Sequence, residues 1–197
     1  MAFTAKDVQE LRQRTGAGMM ECKRALEETK GDKEKAEEYL RKKGIAKAEK
    51  RLGKRTSEGQ ITSYIHHNGK VGVLVEVNCE TDFVARTDDF KTLAREIALH
   101  IASAAPLAVD KGGVPSGAVE RERRIFEEQA RASGKPENII AKMVEGKVES
   151  YYKEVVLLSQ PWIREPKKTI GDLVKEASAR VGENIQVRRF VRFQMGD

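Results

Sequence analysis

The sequence predicts an α+β protein: an N-terminal three-helix bundle, then a small antiparallel sheet packed with helices and bearing a projecting αα-hairpin. Three observations predict it. Helical periodicity punctuated by glycine fills residues 1–44. Val71, Val73, Val75 and Val77 alternate with period two after an Asn68-Gly69 dipeptide, the pattern of a half-buried strand in a hairpin. From about 118 to 159 the helical pattern returns, interrupted once by Ser133-Gly134-Lys135-Pro136. Hydrophobic residues make up 39% and charged residues 35%, which permits a real core; aromatics at 6% make that core small and aliphatic.

The elements follow from local chemistry. Thr4 with Asp7 three residues on resembles a capping box, and Phe3 and Val8 occupy hydrophobic-staple positions. The first helix runs to about Arg14 with Val8 and Leu11 on one face, and Thr15-Gly16-Ala17-Gly18 breaks it. A second helix, roughly 19–29, carries Met19, Cys22, Ala25 and Leu26. Asp32 caps a third with Ala36, Tyr39 and Leu40, and Gly44 ends it. This makes 1–44 a docking bundle, 45–58 a basic helical linker and 59–197 the core domain. In the core domain, strands at 60–67 and 70–78 flank Asn68-Gly69, which favours a type I′ two-residue turn. A helix from Asp88 to about Ser103 buries Phe90, Leu93, Ala94, Ile97 and Ile101, with Thr87 as cap. The αα-hairpin is an insertion at about 118–159. After Gln160-Pro161-Trp162 come a helix at about 169–181 and a last strand, 184–194. That strand puts Ile185, Val187, Val191 and Phe193 on one face and pairs with the valine hairpin.

Charge and cysteine usage narrow the function. The net charge of +6 is local: residues 41–55 carry eight Lys or Arg against one Glu, a net of +7, which leaves about −1 elsewhere. That marks a linker or contact stripe, and the stripe has no aromatic platforms on which bases could stack. Cys22 and Cys79 fit no CxxC, zinc or disulfide framework and read as reduced cytosolic thiols. No apolar leader or run long enough to span a bilayer is present. Thr15-Gly16-Ala17-Gly18 follows a helix and is not a phosphate loop. His66 and His67, adjacent on a strand, would face opposite sides and not share a metal, and His100 lies far away in sequence. With no nucleophile elbow and no Cys–His pairing, the expectation is a cytoplasmic protein without catalytic site, metal or cofactor.

One segment departs from the pattern. Asn78-Cys79-Glu80-Thr81-Asp82-Phe83-Val84-Ala85-Arg86 joins the valine strand to the next helix. Two readings fit it. Phe83 and Val84 tuck under the sheet as a core plug with Asp82 as helix cap, or they form an exposed apolar tip meant for a pocket on another protein.

Two stretches carry a resemblance. Leu11-Arg12-Gln13-Arg14-Thr15-Gly16-Ala17-Gly18-Met19-Met20-Glu21-Cys22-Lys23-Arg24-Ala25-Leu26 resembles the N-terminal signature of the bacterial elongation factor Ts family. Glu76-Val77 with the 78–86 segment resembles that family's second signature. The likeness continues through Gly134-Lys135-Pro136, Gln160-Pro161 and Gly182-Glu183-Asn184-Ile185. It implies a guanine-nucleotide exchange factor for elongation factor Tu, the translational GTPase, acting on its GDP complex without an active site of its own. A UBA-like bundle would dock on the GTPase through Arg12, Met19 and Met20, although helical spacing alone would equally place Met19 in the core. Thr81, Asp82, Phe83 and Val84 would form a wedge near the partner's magnesium and phosphate site. With one valine hairpin the chain looks like the short, single-core form, and such forms are expected to pair as homodimers. Neither cysteine lies near the last strand, so no disulfide would link the pair there. Direct binding of nucleotide, nucleic acid or membrane is not implied.

Overall fold

The chain enters its first helix through a reciprocal cap. Thr4 Oγ1 accepts from the Asp7 N–H at 3.3 Å and the Asp7 carboxylate accepts from the Thr4 N–H at 2.7 Å, which satisfies donors the helix itself leaves unpaired. The computed structural model describes residues 3–196. Its elements are α1 (Ala5–Thr15), α2 (Met19–Glu28), α3 (Lys33–Glu49), β1 (Glu58–Ile65), β2 (Val71–Cys79), α4 (Asp82–Ala85), α5 (Asp88–Ala104), α6 (Ser116–Arg131), α7 (Glu137–Val155), β3 (Pro161–Trp162), β4 (Glu165–Thr169), α8 (Ile170–Val181) and β5 (Gln186–Gln194). Two compact units share these elements. One holds the residues up to Gly59, Asn78–Lys91 and Val174–Gln186; the other holds Gln60–Val77, Thr92–Leu173 and the residues from Val187 on.

In the first unit α1, α2 and α3 close around Val8, Leu11, Cys22, Ala25, Leu26, Ala36 and Leu40, with Phe3, Ala17 and Tyr39 at the margin. Lys33 ties α3 to α1 by reaching Asp7 and Glu10, both at 2.6 Å. Hydrogen bonds from Lys33 and Thr4 hold the Asp7 carboxyl well below the usual carboxylate range. The third helix does not stop at Gly44. It runs on to Glu49, and a Cβ on Gly44 would lie 3.0 Å from the Cβ of Ala179 in α8. The glycine thus marks a close helix–helix approach and not a C-cap. The basic stretch divides into the last turn of α3, turns to about Gly53 and the start of β1.

In the second unit the sheet has the order β1-β2-β5. Val73, Val75 and Val77 are buried, as are Leu93, Ala94, Ile97 and Ile101 of α5. Arg192 of β5 donates to the Ala102 carbonyl at 3.3 Å, which puts α5 on that face. The hairpin turn is not type I′. His66 C=O accepts from the Gly69 N–H at 2.8 Å, so His67 and Asn68 are the central residues. Only Gly69, at φ 68°, is left-handed there. The face expected along β5 also breaks. Ile185 and Val187 are buried, but Val191 and Phe193 are exposed, because consecutive exposed Arg188 and Arg189 shift the alternation by one residue. The α6–α7 hairpin has its own core of Ala130, Ile140, Val144 and Val148 with Phe126 and Tyr152 beside it. The β3–β4 ribbon was not expected, since 161–168 reads as proline and charge without alternating β-branched residues.

The contacts of two helical glycines decide opposite outcomes. Gly44→Val overpacks the approach to Ala179 and should lower unfolding stability by about 1–3 kcal/mol. Gly146→Ala, in α7 with nothing within 4 Å of the new Cβ, should raise it by about 0.5–1 kcal/mol. Urea unfolding of both variants measures the pair.

Candidate partner-docking site

Between β2 and α5 the chain makes a single helical turn, α4, and that turn decides where Phe83 goes. Cys79 is fully buried at the end of β2 and Ala85 is buried at the end of α4. Phe83 precedes Ala85 by two residues, about 200° around a helix, so it points the opposite way. It is 78% exposed. The core-plug reading is therefore overturned: two small residues fill the inward positions and the aromatic stands in water. The cap is also reassigned. Thr81, not Asp82, is the N-cap, its hydroxyl accepting from the Val84 N–H at 3.4 Å. Asp82 instead pairs with Arg86 at 2.7 Å, and Val84 is half-buried.

Two carboxylates hold this turn. Glu80 accepts from Arg51 Nε at 2.9 Å and Nη2 at 2.6 Å, a bidentate pair, and from the Asn184 N–H at 2.7 Å. Glu183 accepts from the Glu80 N–H at 3.2 Å, the Thr81 N–H at 3.1 Å and the Thr81 hydroxyl at 2.6 Å. The Asn184 amide donates to the Lys54 carbonyl at 2.9 Å. The Arg51 guanidinium, followed by the Asn184 backbone N–H, brings the Glu80 carboxyl down to about 2, and Glu80 in turn raises Arg51 further. Burial, assisted by the nearby Glu183 charge, pushes the Cys79 thiol up to about 11. Cys79 is thus a neutral thiol that donates to the Thr81 carbonyl at 3.1 Å.

The other expected docking residues lie in the same unit. Arg12 is exposed on α1. Met19 and Met20 open α2 with 46% and 62% of their surface in water, so Met19 is not part of the bundle core. The basic residues of the 41–55 stretch are partly engaged: Lys42 pairs with Glu38 at 2.7 Å, and Lys47 pairs with Glu21. His66 and His67 lie past the end of β1 with ring centroids 4.2 Å apart, rather than on opposite faces of a strand. His66 Nδ1 shares a hydrogen with the Tyr64 hydroxyl at 3.0 Å, and buried His100 pairs with Gln160, also at 3.0 Å. Burial lowers the His100 pKa. Among the described residues no helix is long and apolar enough to cross a membrane.

An exposed aromatic on a rigidly held turn, in one unit with a small bundle that presents two methionines, suits a protein that works by contact with another protein. Comparison with known sequences gives that class a family. Residues 4–197 match the family model described as Elongation factor TS. The chain is 56% identical over 197 residues to the elongation factor Ts of Fervidobacterium nodosum and 57% over 197 residues to that of Coprothermobacter proteolyticus, each alignment covering all of both chains. It is 56% identical over 195 residues to that of Carboxydothermus hydrogenoformans, covering 99% of this chain and 90% of the relative. The chain belongs to the elongation factor Ts family, nucleotide-exchange factors of translation elongation.

The acid behaviour of Glu80 gives a test of the clamp. Its folded pKa of about 2 lies below the ordinary 4.5, so the stability it contributes is complete above about 4.5 and is lost as pH falls toward 2. The difference in melting temperature between the wild type and Glu80→Gln should therefore be flat from about pH 5 to 8, shrink as pH falls below about 4.5, and approach zero only below about 2.

Proposed function

We propose that this chain binds elongation factor Tu in its GDP form and promotes GDP release by wedging Phe83, flanked by Thr81, Asp82 and Val84, near the partner's magnesium and phosphate site, so that GTP can bind in turn. The observation that carries the reading is the 78% exposure of Phe83 on a turn held by charge-assisted hydrogen bonds, in a chain of this family. A free aromatic in water is a cost that burial in a partner recovers. Burying one phenylalanine is worth about 1.5–3 kcal/mol, one or two decades in an equilibrium constant. Linkage then requires that whatever the wedge takes from nucleotide affinity, bound nucleotide takes from factor affinity. Arg12, Met19 and Met20 dock the bundle on the GTPase and supply contacts the wedge does not. No active site of its own, no cofactor and no direct binding of nucleotide are part of the mechanism. Ion pairs from Lys42, Lys47 and Arg51 to acidic residues support a structural role for the basic stretch over RNA binding. The protein works in the cytoplasm.

The chain works as a homodimer in this reading. Ile61, Ile65, Leu74, Val191 and Phe193 are all exposed on strands β1, β2 and β5, with Phe193 at 68%. A groove of about 320 Å³ lined by Ile65, Val71, Phe193 and Met195 adjoins them. An apolar sheet face of this kind favours a covering partner, and a second copy offers the same surface.

Two outcomes are expected. Phe83→Ala should slow release of a fluorescent GDP analogue from elongation factor Tu by about ten- to a hundredfold, while binding through the bundle persists. Normal exchange by the folded variant would contradict the wedge. Light scattering at micromolar concentration should give the mass of two chains, and Phe193→Asp should give the mass of one; a single-chain mass for the wild type would contradict the dimer.

A further inference from the structure

We infer that Glu183 is a positioning residue for the wedge: from the turn after α8 its carboxylate fixes Thr81 and so keeps Phe83 aimed outward. The functional consequence rests on the exchange reading above; the geometry does not. A helix of four residues cannot hold itself, because nucleation fixes several dihedrals for one or two hydrogen bonds. The shape of α4 must be imposed from outside. Glu183 takes the N–H groups of Glu80 and Thr81, the two residues just before α4, and the Thr81 hydroxyl that in turn caps Val84. The holding is reciprocal. Glu80 takes the Asn184 N–H, so each carboxylate grips the backbone of the other's segment. Two like charges this close would repel, and Arg51 on Glu80 offsets that. The Glu183 side is itself pinned, by the Asn184 amide on the Lys54 carbonyl and by the Ile185 N–H on Ser178 Oγ at 3.1 Å.

Burial does not explain the clamp. Cys79 and Ala85 already occupy the inward positions on either side. What the clamp controls is the one large apolar group left outside. A turn freed from Glu183 lets Phe83 leave its outward orientation, since water favours any arrangement that exposes less of the ring. The free wedge would be lost although the core is intact.

The test separates aim from affinity. Glu183→Ala should lower the maximal rate of GDP release at saturating factor by about tenfold, with the half-saturating concentration moved less than about twofold. Glu183→Gln keeps one carbonyl acceptor and should fall between, and it carries the test if the alanine variant does not fold. Thr81→Val should cost less in the Glu183→Ala background than alone, because both act through one contact. An unchanged maximal rate, or a change confined to the half-saturating concentration, overturns the inference. Amide hydrogen exchange of the free protein gives an independent reading: the Thr81 and Val84 amides should exchange about tenfold faster in Glu183→Ala. If the wild type itself fails to release GDP, the exchange reading falls, and unchanged protection of these two amides would still overturn the clamp.

Discussion

Keeping a phenylalanine in water is the constraint around which the first unit is arranged. Left to itself, an apolar side chain at the end of a buried strand turns inward. Here the inward positions go to Cys79 and Ala85, and the chain just before the aromatic is gripped by Glu183 while Glu80 grips the backbone of Asn184. The grip is electrostatic and therefore directional. Backbone N–H groups point at carboxylate oxygens, and a guanidinium meets Glu80 in two parallel bonds. Hydrophobic burial fixes that a segment is inside; hydrogen bonds of this kind fix which way a residue outside is pointing.

The bundle and the turn share a unit because three separated stretches of sequence meet there. The last turns after α3 supply Arg51 and Lys54, the end of β2 supplies Glu80 and Thr81, and the end of α8 supplies Glu183 and Asn184. Gly44 lets α3 approach α8 closely, so the two helices that lead into the clamp residues also pack directly. The proposed docking residues and the proposed wedge thus belong to one compact body. A GTPase that grips the bundle would meet Phe83 in a fixed position, and binding energy gathered at the bundle could act at the wedge.

Much of this was legible in the sequence, for physical reasons. The capping box at Thr4, the valine alternation and the stripe from Phe90 to Ile101 are local patterns with one strong interpretation each. What escaped was set by distant contact. Gly44 reads as a helix stop until Ala179 is seen against it. The β5 face reads as continuous until the alternation slips at Arg188-Arg189. Phe83 could be plug or tip on sequence alone, and the deciding residue, Glu183, lies about a hundred positions away. The two motifs that carry the family resemblance include Phe83 but not Arg51, and the likeness at Gly182-Glu183-Asn184-Ile185 assigns Glu183 no role; the contacts of both residues emerge only in the fold.

The central claim is that Phe83 is preformed, exposed and used. Fluorine NMR of protein labelled at its six phenylalanines tests it most directly, with Phe83 assigned through the signal lost in Phe83→Leu. A preformed wedge predicts one narrow resonance at a solvent-exposed shift in the free protein, which moves to a buried shift when elongation factor Tu is added. A resonance already at a buried shift in the free protein, or one that the partner leaves unmoved, would contradict it.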